Sequence, residues 1–130
     1  MKRNLILTVI GVLALGMAAY AHHSIGATYD VSKDVKIEGK LVQLDFRNPH
    51  SFVHLDVTVN GKPERWTVEW GGAGSLTGQG ITRSTLKAGD EVTITGNPAR
   101  AAGLKRLKMN TLLRKKDGFG WGTRPGEVVD

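Results

Sequence analysis

The sequence contains no cysteine, and only 6% of its residues are aromatic. Without cysteine the chain has neither a disulfide nor a thiolate metal ligand, so side-chain packing and strand pairing must stabilise the fold. Two catalytic signatures are also missing. The glycine-rich run 71–75 has no lysine after it, which excludes a phosphate-binding loop, and no serine has the strand–turn–helix setting of a hydrolase nucleophile. We therefore expect a binding protein and not an enzyme.

The first 21 residues have the three parts of a secretory signal peptide. Lys2 and Arg3 open the chain, residues 5–19 carry no charge, and Ala19-Tyr20-Ala21 offers small residues where a signal peptidase reads. An uncleaved membrane anchor is the alternative, but the apolar run is shorter than the roughly 20 residues that cross a bilayer. We predict cleavage after Ala21, no stable membrane span afterwards, and a periplasmic location.

The mature chain has the size and charge of one small soluble domain. Cleavage leaves about 110 residues, and single domains commonly hold about 100 to 150. The formal charge of +6 falls by two when Lys2 and Arg3 leave. A basic balance can indicate nucleic acid, but an exported protein rarely meets it, so we expect no nucleic-acid partner. The charge instead favours solubility or contact with anionic envelope surfaces, and we expect a monomer.

Alternation of apolar and polar residues predicts five short strands. The apolar residues of the first strand change phase partway, which predicts a β-bulge near Gly39. Asn60-Gly61 favours a tight hairpin between the second and third strands. The predicted strands cover residues 35–46, 51–59, 65–70, 91–96 and a last segment through 107–113, and residues 75–80 are predicted to form a helical turn.

This order of elements predicts an all-β fold, namely a small five-stranded OB-like barrel with one short helical segment, preceded by a signal-peptide helix. An open sandwich is the alternative. We assign residues 1–21 to the signal peptide, 22–114 to the barrel with an N-terminal arm, and 115–130 to a flexible tail rich in glycine and charge. In that tail, Phe119 and Trp121 are candidates for folding back onto the barrel.

The histidines are the main candidates for chemistry, because all four occur between residues 22 and 54. Cleavage after Ala21 would free the α-amino group of His22, which with its imidazole gives two nitrogen donors, and His23 or His50 would supply a third. Nitrogen donors in a flat arrangement suit Cu(II). The set resembles the histidine brace of copper monooxygenases. Cleavage one residue earlier would resemble the amino-terminal copper and nickel motif of serum albumins.

Each of these histidines also has a purely structural interpretation. His22 and His23 could simply begin an arm whose Ile25 and Tyr29 pack on the barrel. If the second strand extends back to His50, then His50 and His54 lie on one face about 13 Å apart, at roughly 3.3 Å per residue. That distance is too long for both to bind one ion, so either the two histidines have separate roles or a turn at Pro49 redirects His50. His54 is therefore a reserve ligand.

The turn Arg47-Asn48-Pro49-His50 has two interpretations. In the functional one, His50 faces a cleft beside Arg47 and Asp45, a polar cluster that would bind a metal or a small anion. In the structural one, Asn48 caps the turn and His50 hydrogen-bonds a backbone carbonyl. Because Trp70 shares a strand face with Trp66, we expect it to be a core residue first and a ligand-stacking surface second. Asp56 and Glu69 have the chemistry of paired catalytic carboxylates, but nothing in the sequence distinguishes them from surface charges.

Several motifs in order resemble one family of small exported bacterial proteins. They are His22-His23-Ser24 after a leader, Asn48-Pro49-His50 after a first strand, Trp66 and Glu69 in a third, and Leu86-Lys87-Ala88-Gly89-Asp90 before a fourth. The family is domain-of-unknown-function family 6152, and the resemblance covers nearly the whole mature chain. It implies an exported, β-rich single domain without an assigned biochemical role. This chain departs from the family's pattern in having Ile25 where an aromatic residue often follows His-His-Ser, and Phe46 where a tryptophan often precedes the Asn-Pro-His turn.

Together these features predict an exported periplasmic binding protein that binds a transition metal, most plausibly copper, through His22, His23 and His50. The alternative is a metal-free interaction module that binds a glycan, peptide or envelope protein. In that case Arg47, Asn48 and Trp70, with the loop 71–80, would line the binding surface. An enzyme of the brace type would need an open copper position and a substrate surface, and the sequence indicates neither.

Overall fold

The computed structural model describes residues 1–2, 4–8, 10 and 25–122. Most of the predicted signal peptide, together with His22 and His23, lies outside these residues. Within the described part of the chain, no helix is both long and apolar enough to cross a membrane.

The strands form one six-stranded sheet in the order β3-β2-β1-β4-β5-β6. All neighbouring strands are antiparallel, and β3 also pairs with β5 in parallel, which closes the first five strands into a barrel. A short helix, α1, lies between β3 and β4. The bounds are β1 Val35–Asp45, β2 Phe52–Val59, β3 Lys62–Glu69, α1 Ala73–Gly78, β4 Glu91–Pro98, β5 Arg106–Arg114 and β6 Phe119–Trp121. The predicted five-stranded barrel with one helical segment after the third strand is confirmed.

The bulge in β1 lies further along the chain than the sequence predicts. The pairing of β1 with β2 shifts register between Leu41 and Gln43, where the buried positions change from odd to even numbers. Gly39 has another role, because a Cβ there would lie 2.7 Å from the backbone oxygen of Asp56. Glycine is therefore needed at position 39, where the backbone of β1 closely approaches that of β2.

The barrel interior is filled by the alternating apolar residues that the sequence pattern indicates. Val53 and Leu55 of β2 and Val68 of β3 are fully buried, as are Ile94 and Leu107 from the opposite side of the barrel. Trp66 is half-buried against this core. The alternate residues of β2, β3 and β5 face away from this core, and the candidate site lies among them.

The folded part of the chain continues beyond residue 114, where the sequence places the end of the barrel. Phe119–Trp121 forms β6 and pairs with the end of β5. Trp121 stacks edge-on against Trp70, with ring centroids 5.4 Å apart, and this contact explains why the segment is held. Residues 123–130 lie outside the described residues.

Candidate functional site

The Asn-Pro-His turn is fixed by the glycine-rich segment that follows β3. The amide of Asn48 accepts a hydrogen bond from the backbone N–H of Gly74 at 3.1 Å, so Asn48 caps helix α1 and not its own turn. The backbone N–H of Ala73 binds the carbonyl of Arg47 at 3.0 Å. At Gly72 a Cβ would lie 2.5 Å from the carbonyl oxygen of Pro49. The glycines that end β3 therefore let the turn pack directly on the helix.

His50 lies in this turn and not in β2, which begins at Phe52. Its Nδ1 is 2.6 Å from Oε1 of Glu69, a residue that is only 6% exposed. The partner is therefore a buried carboxylate and not the backbone carbonyl that the structural interpretation predicts. The imidazole itself is half-exposed.

Glu69 is the centre of a polar cluster that the sequence did not single out. Its Oε2 accepts a hydrogen bond from the hydroxyl of Tyr29 and another from Arg106 at 3.2 Å. On the other side, Lys108 lies 3.5 Å from Oε1, the oxygen that faces His50. Arg106 also donates to the hydroxyl of Tyr29 at 2.8 Å. The carboxylate is thus held by groups from the N-terminal arm, the turn and β5.

The charge of this cluster is set by burial and by its neighbours. Burial alone would raise the pKa of Glu69, but the hydrogen bond from Tyr29 and the nearby charges of Lys108, His50 and Arg106 outweigh it and lower the pKa. Burial, together with the hydrogen bond and charge of Glu69, raises the pKa of Tyr29. Glu69 is therefore the ionised acceptor and the Tyr29 hydroxyl is a protonated donor.

His54 has a different environment from His50. Its Nε2 lies 3.0 Å from Oδ2 of Asp45, and its Nδ1 lies 3.3 Å from the hydroxyl of Thr67. The hydrogen bond from His54 is the largest of the effects that lower the pKa of Asp45. Both ring nitrogens of His54 are used within the sheet, so this histidine has no free nitrogen in this arrangement.

The remaining predicted site residues do not lie together at one site. Trp70 is 1% exposed, which contradicts its assignment to an accessible binding surface: it lies below Trp121 and belongs to the core. Arg47 is exposed, and its guanidinium lies 5.1 Å from the centre of the Phe52 ring. Within the described residues, no group of three histidine, aspartate or glutamate side chains has the geometry to hold a metal ion.

A cleft of about 740 Å³ opens elsewhere on the barrel, beside Gly39 and Val92. Two of its lysines pair with two of its carboxylates: Lys115 lies 3.3 Å from Glu38, and Lys116 lies 2.7 Å from Asp90. None of the predicted site residues is among its described lining residues. The cleft is therefore separate from the histidine clusters.

Comparison with known proteins assigns the family. The model of a family of unknown function, DUF6152, matches residues 9–107, and the chain belongs to this family. The resemblance inferred from its motifs is confirmed at that level. No curated protein and no solved structure matches the chain.

The sequence could not have revealed the Glu69 cluster by strand pattern alone. Glu69 alternates outward in β3, as a surface charge would. Its partners include Tyr29, Arg106 and Lys108. Arg106 and Lys108 lie beside it only because β3 pairs with β5 in parallel. The signals that the sequence offered were the place of Glu69 among the family motifs and its position between Val68 and Trp70, directly before a glycine-rich break.

Proposed function

We propose that this protein is an exported periplasmic binding protein that holds a transition metal ion, copper, through His50 and the arm histidines His22 and His23. One observation carries the proposal. The arm and the Asn-Pro-His turn are far apart in sequence, yet Tyr29 and His50 bind the two oxygens of one buried carboxylate, that of Glu69. The described part of the arm and the Asn-Pro-His turn therefore meet on the same face of the barrel.

The arm is anchored along its described length, which supports this convergence. The N–H of Asp30 binds the carbonyl of Pro98 at 2.8 Å, and the N–H of Arg100 binds the carbonyl of Thr28 at 2.9 Å. The side chain of Arg100 also donates to the carbonyl of Gly26 at 2.7 Å. Because a residue spans at most about 3.6 Å, the length of chain between His22 and Ile25 can extend over no more than about 11 Å.

The donor set suits Cu(II). After removal of a leader ending at Ala21, His22 would offer its α-amino group and its imidazole, and His50 would add the Nε2 that does not face Glu69. Neutral nitrogen donors of this kind favour copper over Mg²⁺ or Ca²⁺, which prefer oxygen ligands. His54 is left out of the set because both of its ring nitrogens are already bound.

Titration of the mature protein with Cu(II) tests the proposal. The protein must begin at an authentic His22, and isothermal titration gives the dissociation constant. We expect His50→Ala to weaken binding at least tenfold, about 1.4 kcal/mol. His54→Ala is the matched control and should change the constant by less than about threefold, because its imidazole serves the sheet.

Two outcomes would overturn the copper site. One is wild-type affinity no better than that of an unfolded peptide covering residues 22–30. The other is an unchanged dissociation constant in His50→Ala. The intact mass of the protein from its native compartment gives the cleavage site, and so tests export and the free amino group of His22 independently.

A metal-free interaction module is the second candidate, and the charges of the same face favour it. Arg106 and Lys108 surround Glu69 with two positive groups, and Arg47 lies exposed over the ring of Phe52. A barrel of this kind commonly uses the β2–β3 face and the β1–β2 loop for ligands. An acidic peptide or acidic glycan would fit these charges. The protein should still bind such a ligand in the His50→Ala variant and should lose this binding in Arg47→Gln. Binding that is lost in His50→Ala and kept in Arg47→Gln would exclude this candidate.

A further inference from the structure

Glu69 divides its two oxygens between the arm and the turn. Tyr29 and Arg106 bind Oε2, whereas His50 and Lys108 face Oε1. Four groups from three segments, the arm, the turn and β5, thus contact one carboxylate that is almost completely buried. A carboxylate held in this way has little freedom to turn away from the imidazole, so it imposes an orientation on the His50 ring.

The contact also determines which nitrogen of His50 carries the proton. An ionised carboxylate only accepts hydrogen bonds, so the nitrogen 2.6 Å from it, Nδ1, must be the donor. A neutral imidazole has one protonated nitrogen, and its lone pair then lies on Nε2. Without the carboxylate, both tautomers would be open to a half-exposed ring.

We propose that Glu69 is the positioning residue of His50: it fixes the Nδ1–H tautomer and presents Nε2 as the nitrogen that binds a divalent transition metal. The metal part of this inference rests on the proposed function, and the tautomer part does not. Replacement of a carboxylate that orients a metal-binding histidine in this way typically weakens metal binding 10- to 100-fold. The role differs from that of Asp45, whose contact with Nε2 of His54 uses the nitrogen that would otherwise be free.

Nitrogen-15 NMR of the metal-free mature protein tests the tautomer directly. In the neutral form of the imidazole, which a pH series identifies, we expect His50 to show a protonated Nδ1 and an unprotonated Nε2. In Glu69→Gln the His50 signals should move toward a mixture of the two tautomers. The signals of His54 should stay unchanged in the same sample, which controls for a general loss of structure. Glu91→Gln is the matched variant, because it makes the same substitution at an exposed carboxylate on β4 and should leave the His50 tautomer as it is.

The wild-type spectrum keeps the inference testable even if Glu69→Gln does not fold. A protonated Nε2 on His50 in the wild type, or an equal mixture, would overturn it. So would an unchanged tautomer in a folded Glu69→Gln protein.

Cu(II) titration of the same proteins separates this inference from the proposed function. If Glu69→Gln loses the tautomer preference and binds Cu(II) 10- to 100-fold more weakly, both are supported. If the tautomer is as expected but the wild type binds no Cu(II), the copper site fails and the positioning role stands. If Cu(II) binds through His50 and Glu69→Gln changes neither tautomer nor affinity, the positioning role fails alone.

Discussion

Replacement of Asp90 by asparagine should cost about 2 kcal/mol of stability at neutral pH. Asp90 is 6% exposed, and its Oδ2 binds Arg114 at 2.6 Å and the backbone N–H of Lys87 at 3.0 Å. Its Oδ1 accepts from Lys116 at 2.7 Å. Arg114 is itself largely buried and also donates to the carbonyl of Thr85 at 2.7 Å. The carboxylate thus joins the loop before β4 to the end of β5.

The size of the effect follows from the ionisation of Asp90. Burial alone would raise its pKa, but Lys116, the N–H of Lys87 and Arg114 together lower it from 3.8 to about 2. At about 1.4 kcal/mol per pH unit, this difference corresponds to ~2 kcal/mol of differential stabilisation. Because the folded pKa is the lower one, the stabilisation is complete above about pH 4 and is lost as the pH falls through about 2.

Urea unfolding followed by tryptophan fluorescence measures this loss. We expect Asp90→Asn to unfold with a free energy about 2 kcal/mol smaller than wild type at pH 7, and the difference to shrink between about pH 4 and pH 2. Glu91→Gln, an exposed neighbour on β4, removes the same charge and should change stability by less than about 0.5 kcal/mol. Equal losses in the two variants, or a difference that does not depend on pH, would refute the reasoning.

Two further changes test the packing around the site. In a thermal unfolding assay, Gly72→Ala should lower the free energy of unfolding by about 1 to 3 kcal/mol and weaken Cu(II) binding, because its Cβ would lie 2.5 Å from the Pro49 carbonyl. Gly78→Ala is the control, because a Cβ there meets no atom within 4 Å. It should leave the free energy of unfolding unchanged or raise it by up to about 1 kcal/mol. Trp121→Ala should lose about 2 kcal/mol, since its half-buried ring stacks on Trp70. The fluorescence of the remaining tryptophans should then shift to longer wavelength. An unshifted spectrum, or equal stabilities of the two glycine variants, would contradict these contacts.

The barrel itself was predictable because its elements depend on local patterns. Strict alternation from Val53 to Val59 places one face inward whatever the neighbouring strands are, and Asn60-Gly61 forces a tight hairpin. The change of phase in β1 was visible too. Its position was misjudged because Gly39 suggested a bulge, whereas the glycine is needed for close approach to the backbone of Asp56. Alternation predicts which face a residue occupies, but it does not show which backbones come close.

The candidate site was predictable only in its histidines. His50 stood out because all four histidines lie between residues 22 and 54 and because it follows a turn-forming Asn-Pro pair. Its partner did not, since an outward glutamate in a strand has the pattern of any surface charge. Trp70 was expected to be a core residue first, and it is buried, but its contact with Trp121, 51 positions along the chain, is contained in no local pattern.

The sequence by itself determined the five strands of the barrel and their order, the helical segment after the third strand and the family of this protein. These features depend on alternation, turn residues and motifs, which act over a few positions along the chain. Only the tertiary structure decided that Glu69 is the centre of the site. The parallel closure of β3 on β5 and the docking of the arm bring Arg106, Lys108 and Tyr29 to that carboxylate, and burial among them distinguishes it from an ordinary surface charge.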